Sequence, residues 1–412
     1  MNSHKLAEHI NKRETPPGRW WPTFSPQLSR RDFLKLTAQG IVTATFLSGC
    51  SLRPKSASPQ VSLETKIGQM LMVGFRGLEV GADHPIVQDV QQRHLGGVVL
   101  FDYDVPTQTP LRNIESPAQV NTLIAALQSF AQIPLLVAID QEGGQIRRLK
   151  EKFGFPPTVS AQYLGTMNDV ALTHEHATAM AKTLAQLGIN LNLAPVVDLN
   201  TNPSNPIIGR YERSFSADPD LVTNHALEFI RAHHEQGVLC TLKHFPGHGS
   251  STGDSHLGLV DITHTWSPAE LEPYAHLIKA GQADAIMTAH VFHATLDPEY
   301  PVTLSKPIIT GLLREKLNYD GVVISDDMQM AAITDHYGFE IAIQRTIEAG
   351  VDIIAIANNS VYEEDVVART TALIERLVHE GKISQARINE SYRRIQRLKH
   401  GLLATNLSAN IR

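Results

Sequence analysis

The sequence predicts an α/β fold, a (β/α)8 barrel of the TIM type that forms a single domain. Eight short apolar runs alternate with segments of helical periodicity, which is the pattern of parallel strands and their covering helices. Eight such units are the number that closes a barrel. An open, doubly wound sheet is the alternative, but residues 74–77 after the first run lack the GxGxxG pattern that such a sheet would carry there. The predicted strand runs are residues 69–75, 96–101, 134–140, 189–199, 238–245, 285–291, 321–327 and 352–358.

Helical segments lie between these runs, and several begin with residues that favour a helix start. Ser116 and Ser267 are each followed by proline, and Glu270 stands three residues after Ser267, as in a capping box. Ser305 is a further candidate cap. The predicted helices include residues 116–131, 171–187, 218–236, 267–280 and 340–349, and residues 383–403 are predicted to close the chain.

Composition narrows the class of protein before any motif is considered. The chain has 412 residues, of which 42% are hydrophobic and 19% charged, so it is long enough to bury one large core. A net charge of -6 and an isoelectric point near 6.3 argue against a nucleic-acid partner. The two cysteines, Cys50 and Cys240, are too few for a disulfide framework. We also expect no cofactor, and the oligomeric state is left open.

The first fifty residues differ from the rest and carry the signals of export. Residues 29–35 read SRRDFLK, a twin-arginine signal, and a short apolar segment leads to Leu-Ser-Gly-Cys50, which resembles a bacterial lipobox. The alternative is an amphipathic helix with a chance arginine pair. The signals predict a protein anchored by a lipid at Cys50 to a bacterial membrane, on the periplasmic or extracellular side. The predicted organisation is a signal peptide over residues 1–49, a lipidated cysteine and tether over 50–60, the barrel domain over 61–403 and a tail over 404–412.

Polar residues stand where most of the predicted strands end. Buried strand interiors seldom tolerate unpaired charges, and in a barrel the carboxyl ends of all strands meet at one face. We therefore expect these side chains to converge on a single polar rim that forms the functional site. The strand-end residues are Asp102, Asp140, Asp198, Lys243, His244, His290, Asp326, Asp327 and Asn358.

The densest cluster is KHFPGHGSSTGDSH, residues 243–256. Its histidines suggest a metal, but Pro246 and Gly247 break the helix that would align His244 with His248, so we predict no metal site. A phosphate-binding loop is supported even less, because GHGSSTG lacks the lysine of that motif. The pair Asp254 and His256 instead fits an oriented proton shuttle, with a solvated polar loop as the alternative. The glycines at 247, 249 and 253 are expected to let this loop close over a ligand.

Two further clusters could complete such a site. Asp326 follows a buried strand, which suits a nucleophile, although helix capping is an equally good explanation at this stage. Asp140 is followed by Gln-Glu-Gly-Gly and can accept hydrogen bonds from hydroxyls. Arg148 and Arg213 offer guanidinium donors, unless they form surface ion pairs. Together these groups suit a neutral, hydroxyl-rich ligand.

These motifs resemble glycoside hydrolase family 3, and are most similar to its single-domain exo-β-N-acetylglucosaminidases. The matching segments, from about residue 61 to 401, are DQEGG (140–144), ERSF (212–215), KHFPGHG with the following DSH (243–256) and SDDM (325–328). The resemblance implies Asp326 as nucleophile, His256 as acid/base and Asp254 as its orienting group. It also implies that Asp140, Arg148, Arg213, Lys243 and His244 bind the sugar. The family usually has arginine where this chain has Gln145, which affects one supporting contact.

The resemblance further implies a retaining β-N-acetylhexosaminidase that releases terminal N-acetylglucosamine from peptidoglycan fragments or related aminosugar oligosaccharides through a covalent glycosyl–Asp326 intermediate. An exo-β-glucosidase and a phosphorolytic N-acetylglucosaminidase are alternatives within the same family. Phosphorolysis stays open because an imidazole replaces the usual second carboxylate and removes one negative charge from the site. A catalytically inactive sugar-binding lipoprotein is the alternative from another class.

Overall fold

The structure is a computed structural model, and it describes the backbone of residues 61–409 and the side chains of residues 61–401. The twin-arginine segment, Cys50 and the tether lie outside the described residues, so the predictions made for them stay predictions. In the part of the chain that is described, no helix has the length and apolar character needed to cross a membrane.

Eight parallel strands form the centre of the molecule, and each lies within one of the predicted apolar runs. Their order in the sheet is β7-β6-β5-β4-β3-β2-β1-β8, so chain neighbours are also spatial neighbours. A parallel bridge between Ile324 and Ile353 joins the two ends of this sheet, which closes the barrel. The strands are β1 (Leu71–Gly74), β2 (Gly97–Leu100), β3 (Leu136–Ile139), β4 (Leu191–Asn192), β5 (Leu239–Phe245), β6 (Ala285–Thr288), β7 (Val322–Ile324) and β8 (Ile354–Ile356).

Helices cover the outside of the barrel, and every predicted helical segment contains one. The closing helix differs from its prediction because it continues to Ala409. The α-helices are α1 (Leu63–Gln69), α2 (Pro85–Gln92), α3 (Pro117–Phe130), α4 (Ala161–Met167), α5 (Val170–Leu187), α6 (Pro219–Glu235), α7 (Glu272–Lys279), α8 (Ala331–Tyr337), α9 (Phe339–Ala349), α10 (Val366–His379) and α11 (Gln385–Ala409), and a π-type helix spans Pro307–Lys316.

The predicted caps have different outcomes. The Ser116 side chain accepts a hydrogen bond from the Gln119 N–H at the start of α3, as expected. Ser305 likewise accepts from the Ile308 N–H. The capping box predicted at Ser267 fails on its serine side, because that segment begins as a 3-10 turn and the Ser267 side chain makes no capping bond. Glu270 keeps its contact with the Ser267 backbone, and its further surroundings are described below.

The strands β7 and β8 form the seam of the barrel, where the first and last strands of the sheet order meet. Next to the Ile324–Ile353 bridge, the Ser325 N–H donates to the Ile353 carbonyl at 2.9 Å. The Ser325 hydroxyl accepts from the Ala355 N–H at 2.9 Å. The ladder between β7 and β8 is short, and these two bonds, one from the backbone and one to a side chain, extend it.

At the opposite, amino-terminal face of the barrel, a buried carboxylate fastens the last helix to the sheet. Asp352 accepts hydrogen bonds from Arg314 at 2.6 Å, Arg387 at 3.0 Å and Arg394 at 3.4 Å. Arg387 and Arg394 belong to α11, and Arg314 to the π-type helix. The burial of Asp352 opposes its ionisation, but the three guanidinium charges outweigh burial and hold the pKa of Asp352 below its usual range.

Candidate active site

All eight described side chains that the sequence singled out line one cavity at the carboxyl ends of the strands. Its volume is about 520 Å³, and it opens to solvent. The expected polar rim is met in part, since groups from the end of β5 and from the loops after β3, β4, β5 and β7 face the same space. Three of the strand-end residues named above, Asp198, His290 and Asn358, do not line this cavity. The predicted residues in its wall are Asp140, Arg148, Arg213, Lys243, His244, Asp254, His256 and Asp326.

The floor of the cavity is built around the ammonium of Lys243, which is only 2% exposed. Its Nζ lies 2.8 Å from Asp140 Oδ1 and 2.6 Å from Glu142 Oε1. Burial alone would lower the pKa of Lys243, but the two carboxylates outweigh it and raise that pKa. Burial opposes ionisation of Asp140, yet Lys243 and Arg148 hold the pKa of its carboxyl below the ordinary range. These groups are therefore charged throughout the neutral range.

Arg213 forms the second half of this floor. Its guanidinium makes a two-pronged contact with Glu142, at 2.8 Å and 2.7 Å, and its Nη2 lies 3.2 Å from His244 Nε2. The imidazole of His244 is held on its other side by Asp198, whose Oδ2 is 2.7 Å from His244 Nδ1. This bond fixes the orientation of the ring and leaves Nε2 toward Arg213 and the cavity.

A short hairpin delivers Arg148 to the site. Gln141–Gly143 pairs in antiparallel fashion with Ile146–Arg147, and the turn between them uses Gly144 at a φ of 57°. Beyond the hairpin, Arg148 Nη2 donates to Asp140 Oδ2 at 3.1 Å. Surface ion pairing was the other explanation for Arg148, but the guanidinium faces the cavity together with its partner. A ligand hydroxyl can therefore reach both members of the pair.

The two adjacent aspartates after β7 have different surroundings. Asp327 Oδ1 accepts from the backbone N–H groups of Gln329 at 3.1 Å and Ala357 at 2.9 Å, so it holds the loop to the segment after β8. Asp326 Oδ1 accepts only from the Asp327 N–H, at 2.8 Å, in the part of the chain that is described. Helix capping accounts for neither aspartate, because α8 begins after Met330 without a side-chain cap, and the Asp326 carboxylate faces the cavity.

The charges around Asp326 favour its ionised form. Burial would raise the pKa of its carboxyl, but His290, His244 and His256 outweigh burial and lower it. Asp327 shows the opposite behaviour, because burial raises the pKa of its carboxyl to about 6. At neutral pH, Asp326 is therefore an ionised carboxylate with a free oxygen, which is what a nucleophile requires.

Asp254 and His256 stand at the rim of the cavity, on the loop after β5. His256 Nδ1 lies 2.7 Å from Asp254 Oδ1, which also accepts the His256 N–H at 2.9 Å. The imidazole is 60% exposed, and its Nε2 has no hydrogen-bond partner among the described side chains. With Nδ1 bound to the carboxylate, Nε2 is the atom able to give and take a proton at the ligand.

Gly247 and Gly249 have a packing role in addition to the predicted loop closure, which stays a prediction. A Cβ added at Gly249 would lie 1.7 Å from the Leu199 carbonyl oxygen, and one at Gly247 would lie 2.5 Å from Glu270 Oε2. These two glycines allow close packing of the loop base. Gly253, beside the Asp254–His256 pair, meets only the Val260 side chain, at 3.0 Å.

Three structural members of the site carry no role in the sequence interpretation. Glu142 pairs with Lys243 and Arg213, and Asp198 orients His244, as described above. His248 contacts the hydroxyls of Ser251 at 2.7 Å and Ser255 at 3.2 Å, and thereby holds the base of the loop that carries His256. Burial lowers the pKa of His248 to about 4, so the ring is neutral at pH 7. The strand-end pattern in the sequence included Asp198, but its contact with His244 is apparent only from the fold.

Glu270 lies behind the same loop, in the 3-10 turn that precedes α7. The residue is 1% exposed, and its Oε2 accepts the Gly249 N–H at 3.3 Å. Its Oε1 has no hydrogen-bond partner in the described part of the chain. Burial, reinforced by the charge of Asp198, raises the pKa of Glu270 to about 7. The carboxyl is thus protonated in mildly acidic solution and loses its proton as the pH rises through about 7.

No three His, Cys, Asp or Glu side chains among residues 61–401 converge in a way that would hold a metal ion. The candidate histidines are instead committed to separate partners. His244 binds Asp198, His248 binds two serines, and His256 binds Asp254.

Comparison with known proteins gives a consistent result. A family model described as the glycosyl hydrolase family 3 N terminal domain matches residues 62–398. The beta-hexosaminidase A of Pseudoalteromonas piscicida is 35% identical over 401 residues, which cover 86% of this chain and 64% of that protein. A beta-hexosaminidase of Xylella fastidiosa is 38% identical over 296 residues, which cover 70% of this chain and 83% of that protein.

Among solved structures, a family 3 β-N-acetylglucosaminidase from Paenibacillus sp. str. FPU-7 superposes with a TM-score of 0.76 at 37% identity. The match covers 84% of this chain and 64% of that one. The chain therefore spans less than two thirds of the length of this protein and of the Pseudoalteromonas relative.

The buried carboxyl of Glu270 gives a test by pH. Its pKa is raised from 4.5 to about 7, so between these values the unfolded chain ionises while the folded chain stays protonated. The stability that the protonated group contributes is complete below pH 4.5 and is lost as the pH rises through about 7. Replacing it by a neutral isostere, Glu270→Gln, should therefore stabilise the variant relative to the parent by up to about 3 kcal/mol between pH 4.5 and pH 8.

The measurement is the free energy of unfolding in urea across that pH range. The exposed neighbour Glu272, changed to Gln, is the matched control and should show no such trend. A constant difference between Glu270→Gln and the parent at all pH values would show that Glu270 is ionised in the fold.

Proposed function

The chain belongs to glycosyl hydrolase family 3, and on that premise we propose that it is a retaining β-N-acetylhexosaminidase. Its substrate is a chain with a terminal β-linked N-acetylglucosamine, such as a peptidoglycan fragment or a related aminosugar oligosaccharide. One observation carries the proposal. A single cavity contains an ionised carboxylate with a free oxygen, Asp326, and a carboxylate-oriented imidazole with a free nitrogen, His256.

These two groups supply the two roles that retaining hydrolysis needs. In the first step, an Asp326 oxygen attacks the anomeric carbon while His256 Nε2–H protonates the glycosidic oxygen. The bond from the anomeric carbon to that oxygen breaks, and a glycosyl ester of Asp326 forms. In the second step, His256 takes a proton from water, whose oxygen attacks the anomeric carbon and releases Asp326. Both catalytic groups then regain their starting protonation states.

The polar floor of the cavity fits the binding of the terminal sugar. Asp140 and Glu142 are charge-balanced by Lys243, Arg148 and Arg213, so their oxygens remain acceptors for sugar hydroxyls. The guanidinium and ammonium groups are donors in fixed positions. Charge-assisted hydrogen bonds to ligand hydroxyls are stronger than neutral ones. Because ion pairs already hold these side chains in place, little conformational entropy is lost when a ligand binds.

Relatives and one solved neighbour support the aminosugar part of the proposal. The relatives are named beta-hexosaminidases, and the solved neighbour is a β-N-acetylglucosaminidase. The chain covers 64% of the length of the Pseudoalteromonas and Paenibacillus proteins, so the same activity for this chain is part of the proposal. The sequence signals for export support peptidoglycan as the source of the substrate, since that polymer lies outside the cytoplasm.

The nucleophile can be trapped. Incubation with 5-fluoro-N-acetylglucosaminyl fluoride should add one glycosyl mass to the protein, and fragmentation of the labelled peptide should place it on Asp326. Asp326→Asn should lose the label and roughly 10⁴-fold or more in kcat. Asp327→Asn keeps the oxygen that accepts the two backbone bonds, and it should still be labelled. Label on Asp327, or full activity in Asp326→Asn, would remove Asp326 from the reaction.

The acid/base role of His256 predicts a dependence on the leaving group. A 4-nitrophenolate leaves without a proton, whereas a sugar alcohol needs one. His256→Gln should therefore lower kcat/KM for diacetylchitobiose by about 10³-fold, and for the 4-nitrophenyl glycoside far less. Asp254→Asn should give a smaller loss of the same kind, and the exposed His264→Gln should give none. Equal losses of His256→Gln on both substrates would argue for a binding role.

We also propose that the mature protein is lipid-anchored through Cys50 after twin-arginine export. In cells fed labelled palmitate, the parent should carry the label and Cys50→Ser should not. Cys240→Ser is the matched control, because Cys240 is a buried thiol in β5 and should leave the labelling intact. Replacing Arg30 and Arg31 by lysine should retain the protein in the cytoplasm. Labelled Cys50→Ser protein would contradict the anchor.

A further inference from the structure

Burial decreases from the floor of the cavity to its mouth, and the character of the side chains changes with it. Lys243 on the floor is 2% exposed. The cavity wall also contains three large apolar or aromatic side chains that are much more open: Tyr103 at 40%, Val105 at 51% and Tyr211 at 41%. We refer to these three residues as the rim platform. Exposed apolar groups gathered at the mouth of a pocket mark a binding surface.

The loop that carries two of these residues is held by a buried ion network. Asp104 lies between Tyr103 and Val105. Its Oδ2 forms ion pairs with Arg76 Nε at 2.7 Å and with Arg112 Nη1 at 2.8 Å. The Arg112 side chain is fully buried and also donates to the Asn358 carbonyl at 2.8 Å. The hydrogen bond from Arg76, together with those from Thr107 and the charge of Arg112, outweighs burial and holds the pKa of Asp104 below its usual range. A buried network of this kind fixes the loop in one conformation.

Asn359, in the segment after β8, holds the same loop on both sides of Asp104. Its Oδ1 accepts the Val105 N–H at 3.1 Å, and its Nδ2 donates to the Tyr103 carbonyl at 3.1 Å. The backbone of both platform residues is therefore fixed before any ligand arrives. A preorganised surface avoids the entropy cost of ordering a loop on binding.

Tyr211 reaches the mouth from another direction. It lies on the loop after β4, and only β3 separates β4 from β2 in the sheet. The same loop carries Arg213, whose guanidinium belongs to the floor. The platform is thus continuous with the sugar-binding groups, although its own side chains bring few charges to the ligand.

We propose that the rim platform binds the sugar on the leaving side of the scissile bond. This inference rests on the proposed function. The terminal sugar occupies the buried, charged floor, so only the leaving-side group extends to the exposed mouth. A saccharide ring has an apolar face of C–H groups, which packs on the aromatic face of Tyr103 or Tyr211, and hydroxyl edges that reach the polar side chains of Asn359 and Ser360 in the same wall.

The test compares two substrates with the same terminal sugar and different leaving groups: diacetylchitobiose, which releases a second sugar, and methyl β-N-acetylglucosaminide, which releases methanol. Tyr103→Ala and Tyr211→Ala should each lower kcat/KM for diacetylchitobiose about tenfold, mainly through KM. Their kcat/KM for the methyl glycoside should stay within about twofold of the parent. Asn359→Ala should produce the same selective loss, because it releases the loop without touching the reacting groups.

Ile341→Ala is the control, since Ile341 is 52% exposed on α9 and is not part of the cavity wall. It should change neither substrate. Equal losses on both substrates, or no loss on either, would overturn the assignment of the platform to the leaving side. A parent protein that cleaves neither substrate would contradict the proposed function itself, and the leaving-side site would fall with it.

Discussion

The charge of Lys243 is the constraint on which the site depends. An ammonium buried at the floor of the cavity is stable only if carboxylates neutralise it. Removing one member of such a buried pair typically costs about 3–5 kcal/mol of folding stability. Asp140 and Glu142, both just beyond β3, meet this requirement across β4 for a lysine on β5. Their remaining oxygens then need further cations, which Arg148 and Arg213 supply. The floor is therefore assembled by its own electrostatic balance.

The two groups that we propose to react, Asp326 and His256, stand apart from this floor. Asp326 and His256 are among the cavity groups whose reactive atoms are not committed to an ion pair or a second hydrogen bond in the described structure. Their neighbours take over the structural duties: Asp327 holds the loop after β7, and His248 holds the base of the loop after β5. In each pair, Asp326 with Asp327 and His256 with His248, one residue holds the backbone and the other faces the cavity.

Much of this arrangement could be predicted from the sequence. Strands buried on both faces appear as continuous apolar runs, and all eight were found in this way. Because strand ends meet at one face, the polar residues that follow them were expected together. The ion-pair partner of each residue could not be predicted in the same way. Lys243 binds Glu142 as well as Asp140, and this depends on the spacing between strands that are not consecutive in the chain. Glu270 shows the same limit, since its capping pattern gave no sign that it would be buried behind the loop.

The seam of the barrel has a consequence for the order in which the protein becomes active. Ser325 and Asp327, on either side of Asp326, bond to backbone groups of residues 353–357, which are synthesised after every other strand. Until those residues emerge and dock, the segment that carries the carboxylate lacks its partners. Completion of the barrel thus also completes the surroundings of the proposed nucleophile, Asp326. An unfinished or truncated chain carries the aspartate without the surroundings that hold it in place.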